Sequence, residues 1–200
     1  MESHLITRIA AVCKQYGPGR LPYADRREIG AGYAMAITAA IAAVTFVLVG
    51  QIPGVSEATT IGPFWFGYLG IPSGIAAVQT AAAAIPVGIP SAFVSGVVVW
   101  RVASSERSRF GPVAGVTATG LAYPIGSLVV AGVVVIPSVV QDLGQLGLLS
   151  LVSKLLAGTV YVALFVGIPV FMFTFWLALP LGALGGSIYE RARTASTPDH

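Results

Sequence analysis

Between Glu28 and Glu57 the chain carries no charged side chain, and Ile29 to Gly50 reads IGAGYAMAITAAIAAVTFVLVG. These 22 residues suffice to cross a bilayer core, for which about 20 are needed. A second uncharged run, Ala58 to Trp100, is 43 residues long and exceeds any single crossing. Its first part, TTIGPFWFGYLGIP, is broken by Gly and Pro and rich in aromatic rings, which suits an interfacial loop. The crossing then occupies about 73–100.

The short basic connector RVASSERSR (Arg101–Arg109) precedes a third apolar run, Pro112 to Ile136. Pro137 and the polar pair Gln141-Asp142 are expected to end it, and SVVQDLGQLGLLSLVSK is weakly amphipathic, as if lying flat at the interface. The fourth run, Leu155 to Ile188, spans 34 residues. At 1.5 Å per residue that is roughly 50 Å, more than a ~30 Å core, so it tilts, bends at Pro169 or Pro180, or leaves its ends in the interface. Four spans result: about 29–50, 73–100, 112–136 and 155–186.

Composition agrees. Only 10% of residues are charged and 56% are hydrophobic, whereas soluble domains carry about 25% charged residues. Too few polar groups exist to cover a folded surface in water, so lipid is much of the solvent. The expected fold is all-α: a four-helix transmembrane bundle with several proline-kinked helices. Its domains are a cytoplasmic segment over 1–28, the membrane domain over 29–188 and a tail over 189–200.

All but one of the 11 basic residues fall on one side of this topology. Arg8, Lys14, Arg20, Arg26 and Arg27 precede span one, Arg101, Arg107 and Arg109 follow span two, and Arg191 and Arg193 follow span four. Lys154 alone falls on the other side. The positive-inside rule then places both termini in the cytoplasm of a cell-membrane protein. A twin-arginine signal is the competing reading of Arg26-Arg27, but Asp25 and Glu28 flank the pair and no small-x-small cleavage site follows. Within 1–28, Leu5, Ile6, Ile9, Val12, Cys13 and Tyr16 share one helical face, as in an amphipathic helix resting on the basic-side leaflet.

No Asp, Glu, Lys, Arg or His lies inside a proposed span. Proton relays and voltage sensors require such groups. Intramembrane hydrolases require a Ser–His pair, an Asp pair or HExxH, and none is present. Cys13 is the sole cysteine, and His4 and His200 stand at the two termini, so neither a disulfide nor a His or Cys metal cluster is expected. The reading is a non-enzyme without cofactor or metal and without nucleic-acid partners. An enzyme would have to use peripheral groups such as Asp25, Glu28, Arg107 or Arg109, which topology and helix-end charges explain better.

Small residues recur at four-residue spacing: Gly88, Ala92 and Gly96 in span two, Gly111 and Gly115 at the start of span three, Gly182 and Gly186 at the end of span four. That spacing lets helix backbones approach closely. Prolines lie mid-span: Pro86 and Pro90, Pro124, and Pro169, with Gln79 in the outer part of span two. Each proline removes an amide donor and frees a carbonyl one turn back. VGIP occurs at both Val87–Pro90 and Val166–Pro169, a recurrence that chance accounts for in so biased a composition.

Two functions follow as expectations. The first is a structural or accessory subunit, homo-oligomeric or part of a larger membrane complex, packing through the small-residue faces. The second is a small oligomeric channel or transporter for an ion or neutral solute, with its pathway at the proline kinks.

Overall fold

The computed structural model describes residues 22–24, 26–50, 75–103, 110–145 and 147–194. Every regular element among them is helical: α1 (Arg27–Gly50), α2 (Ile75–Val102), α3 (Phe110–Gln141), α4 (Leu148–Val162), a π turn (Ala163–Gly167) and α5 (Ile168–Thr194). The N-terminal segment expected to form an amphipathic helix with Cys13, the aromatic stretch expected to form an interfacial loop, and Asp25, Arg107 and Arg109 lie outside the described residues.

Four stretches are long and apolar enough to cross a membrane: Arg27–Phe46, Ile85–Val102, Phe110–Gln141 and Leu148–Met172. In lipid an unbonded amide finds no water, so a span must satisfy its own backbone, and a helix does so within one segment. Serine and threonine inside these spans follow the same logic. Thr38 donates to the Ala34 carbonyl at 2.8 Å, Ser91 to Val87 at 2.7 Å and Thr119 to Gly115 at 2.9 Å.

The boundaries differ most from the sequence reading at the third and fourth spans. Pro137 does not end α3, which continues to Gln141. Its side chain is exposed. The stretch expected to lie flat instead forms the end of α3, a turn, and the first turns of α4. The reason is pairing. Lys154 bonds the Asp142 carboxylate and also donates to the Ser138 carbonyl at 3.1 Å, so the polar groups face one another across the hairpin. Gly144 turns the chain at a φ of 97°, in the left-handed region where a side chain would be strained.

The fourth run is longer than expected. α4, the π turn and α5, of 15, 5 and 27 residues, follow one another without a break. Together they reach roughly 70 Å at 1.5 Å per residue.

The helices close into a ring. α1 packs against α2 and α5, and α3 packs against α2 and α5, each neighbour running antiparallel to the next. α4 extends the α3–α5 pairing toward the far end. One core cluster, Ala31, Met35, Val99, Trp100, Ala114 and Ala118, lies toward the basic end. A second, Ala131, Val135 and Val162, lies toward the opposite end. Large apolar residues such as Leu128, Val133, Leu149 and Leu156 face outward, as a lipid-embedded surface requires.

Candidate functional site

The small residues singled out in the sequence occupy two seams. On α2, a Cβ added to Gly96 would stand 3.0 Å from the Gly32 Cα and 3.1 Å from the Ala31 carbonyl oxygen of α1. Ala92, one turn away, is buried. Gly88 is apart from this contact, with no atom within 4 Å of where its Cβ would be. On α3, a Cβ at Gly111 would stand 2.8 Å from the Gly186 carbonyl oxygen, and one at Gly115 would overlap that of Gly182. A Cβ at Gly186 would in turn come within 2.9 Å of the Gly115 Cα. Thr38 meets Gly185 where α1 crosses α5. These glycines bring helices of the same chain together, backbone against backbone.

The prolines are placed differently. Pro86, Pro90 and Pro124 are exposed on the outer surface, as are Pro137 and Pro180, while Pro169 is half-buried. α2 passes through Pro86 and Pro90, and α3 through Pro124, without interruption of the helix. Gln79 lies in α2, and its side chain is outside the described ones. A shallow groove of about 240 Å³ lies on α3, lined by Pro112, Val113, Val116 and Thr117.

Between α3 and α5 sits a short polar row. Tyr123 and Thr174 share a 2.5 Å hydrogen bond. Thr174 gives its one hydroxyl proton to the Val170 carbonyl at 2.8 Å, so Tyr123 is the donor of the pair. The Tyr123 ring stands edge-on to Phe171 at 4.9 Å. One turn further along α3, the buried Ser127 sets its hydroxyl against Gly167, the last residue of the π turn. Pro169 follows two residues on and withholds the amide that an α-helix would aim at the Phe165 carbonyl.

A second cluster caps the basic end. The Tyr189 hydroxyl donates to the Arg27 carbonyl at 2.6 Å, tying the end of α5 to the start of α1. Trp100 stands edge-on to both Tyr189 and Phe110 at 5.8 Å, and its indole N–H donates to Glu190 at 3.4 Å. Arg193 donates to the other Glu190 oxygen at 2.8 Å. The Arg27 guanidinium lies over the Phe110 ring, 5.0 Å from its centroid. Burial pushes the Tyr189 phenol above its ordinary value of 10.0, with Glu190 adding to the rise and Arg193 opposing it.

Sequence reasoning missed this cap. It treated Arg27 only as a topology signal, although Trp100, Phe110 and Tyr189 each stand at a span end beside arginine, where amphipathic rings concentrate. The π turn carried no comparable signal beyond the Gly167 and Pro169 pair. Among the described residues, no group of three His, Cys, Asp or Glu side chains is placed to hold a metal ion.

Comparison with family models, with curated proteins and with solved structures finds no match to this chain.

Proposed function

We propose that the chain is a structural or accessory membrane subunit: a self-packed four-helix bundle that meets its partners through its outer surface. The observation that carries this reading is the division between glycines and prolines. Gly96, Gly111, Gly115, Gly182 and Gly186 close helices of one chain on each other, while Pro86, Pro90 and Pro124 face out. A helix–helix contact this close leaves no room for a solute at the seam. Outward prolines interrupt the regular surface of α2 and α3, giving a neighbouring chain a feature to recognise. The partner is a second copy or another membrane subunit. The bundle sits in the cell membrane with both termini cytoplasmic, as the basic residues of the segments before α1, between α2 and α3, and after α5 direct.

The test combines two measurements on the full chain. Tryptophan in place of Val94 or Val98, both on the exposed face of α2, is expected to weaken self-association or co-purification without unfolding the bundle. Liposomes containing the wild-type protein are expected to stay tight to ions and small neutral solutes. Steady leakage of one solute would overturn the proposal in favour of a pathway.

That second reading has one observation of its own. The bonded Tyr123 and Thr174 hydroxyls and, one turn along α3, that of Ser127 lie between α3 and α5 beside the π turn, and π turns occur frequently at functional sites. A conduit would follow this row rather than the prolines.

A further inference from the structure

The Arg27 guanidinium is held against Phe110, yet its Nε and Nη2 atoms are shut off from solvent with no hydrogen-bond partner among the described residues. These two nitrogens are not an arbitrary pair. Nε–H and the neighbouring Nη2–H point the same way and form the side-on fork with which arginine grips two oxygens of a planar or tetrahedral oxyanion. One whole fork is therefore unsatisfied, and donors shut off from water without a partner are unfavourable even where the rest of the side chain reaches the rim.

The surroundings favour an anion. Arg26, Arg101, Arg191 and Arg193 share this end of the bundle with Arg27, against Glu28 and Glu190 among the described residues. Glu190 is already engaged by Trp100 and Arg193. The Arg27 carbonyl is held by Tyr189, which fixes the root of the side chain at the junction of α1 and α5. Arg27 is also the first residue of the stretch able to cross the membrane. That depth is where lipid phosphates lie, and the residue keeps part of its surface at the rim.

We infer that Arg27 is the anchoring residue of a phosphate-oxyanion site at the basic rim of the bundle, its Nε–Nη2 fork taking two oxygens of a phosphate group. Phosphate is presented there by the headgroup of an anionic phospholipid or by free phosphate from solution. The inference stands apart from the proposed function, since a lipid site suits a subunit and a conduit alike.

Native mass spectrometry of the full chain, released from nanodiscs of phosphatidylglycerol mixed with phosphatidylcholine, tests it. Wild type is expected to retain phosphatidylglycerol selectively. Arg27→Gln should reduce that retention by about tenfold or more, and Arg27→Lys should lose most of it, because a lysine keeps the charge but lacks the fork. Arg101→Gln, an exposed arginine at the same end, should leave it unchanged. Inorganic phosphate is added in a parallel arm. Arg27-dependent thermal stabilisation by phosphate alone supports the site with a soluble source, and Arg27-dependent lipid retention supports it with a lipid source. Should Arg27→Gln fail to fold, the Arg27→Lys comparison decides alone. Equal retention by wild type and the Arg27 variants, or neither ligand binding, overturns the proposal. The latter outcome would give the fork to a carboxylate of a protein partner or of the chain itself.

Discussion

Gly115 of α3 faces Gly182 of α5 so closely that a Cβ on the former would overlap the carbonyl of the latter. The obstacle is backbone, which cannot turn aside as a side-chain end can. Gly115→Val should therefore cost about 2 kcal/mol or more, as overpacking does in close-packed cores. Gly88→Val, on an open surface, should stay within about 0.5 kcal/mol of wild type. Thermal unfolding in one detergent compares the two. Equal losses would show that the seam is not where the bundle is tight.

The Tyr123–Thr174 bond is a second point of contact between the same helices. Interhelical hydrogen bonds in membranes contribute about 0.6 kcal/mol on average, because the separated helices also find partners. A double-mutant cycle with Tyr123→Phe and Thr174→Val is expected to give a coupling of about that size and below ~2 kcal/mol. Zero coupling would mean that the two hydroxyls bond elsewhere.

At the opposite end, Lys154 and Asp142 join α4 to the turn after α3, with side chains 40% and 29% exposed. Such exposure lets solvent screen the pair, so breaking it should cost less than about 1 kcal/mol. The loss on Lys154→Met should shrink as salt is raised, which unfolding at two ionic strengths would check. A large, salt-independent loss would point to the lysine stem and the Ser138 carbonyl bond instead.

Tyr189 gives the bundle an alkaline limit. Its folded-state pKa lies above that of an exposed tyrosine, chiefly because burial disfavours the phenolate. The folded state thus holds the proton more tightly. The stabilisation is fully present below the unfolded value near 10.0 and disappears as pH rises through the higher folded value. Tyr189→Phe should flatten this part of the pH–stability curve while lowering stability at neutral pH through loss of the bond to Arg27. An unchanged alkaline slope in the variant would assign it to another group.

The existence of four apolar helices was legible because uncharged runs of this length have few other uses. Their ends were less so. Pro137 suggested a stop for α3, but an exposed proline in lipid removes only one bond and leaves the helix free to continue. Lys154 and Asp142 gave the polar cast of an interfacial stretch until the fold paired them. Among the small residues, spacing alone grouped Gly88 with Ala92 and Gly96, because a periodicity names a face and not how far the contact extends. The cap of Arg27, Trp100, Phe110, Tyr189 and Glu190 joins residues from four helices, and no pattern local in sequence reports such a meeting.

The π turn has a geometric consequence for everything on either side of it. Toward the basic end, α3 meets α5 with Gly111 beside Gly186 and Gly115 beside Gly182; at the turn itself it meets Gly167 through Ser127, and beyond the turn Gly158 through Val135. An α-helix advances about 100° per residue, so one residue more or fewer between those contacts swings half the rod a quarter-turn and more. The wider turn of Ala163–Gly167 absorbs that angle. The two halves of a very long helix are thereby phased to a single partner: removing one residue from this turn would close it to an ordinary α-turn with both halves still facing α3, whereas removing one from the α-helix on either side would aim one half into lipid.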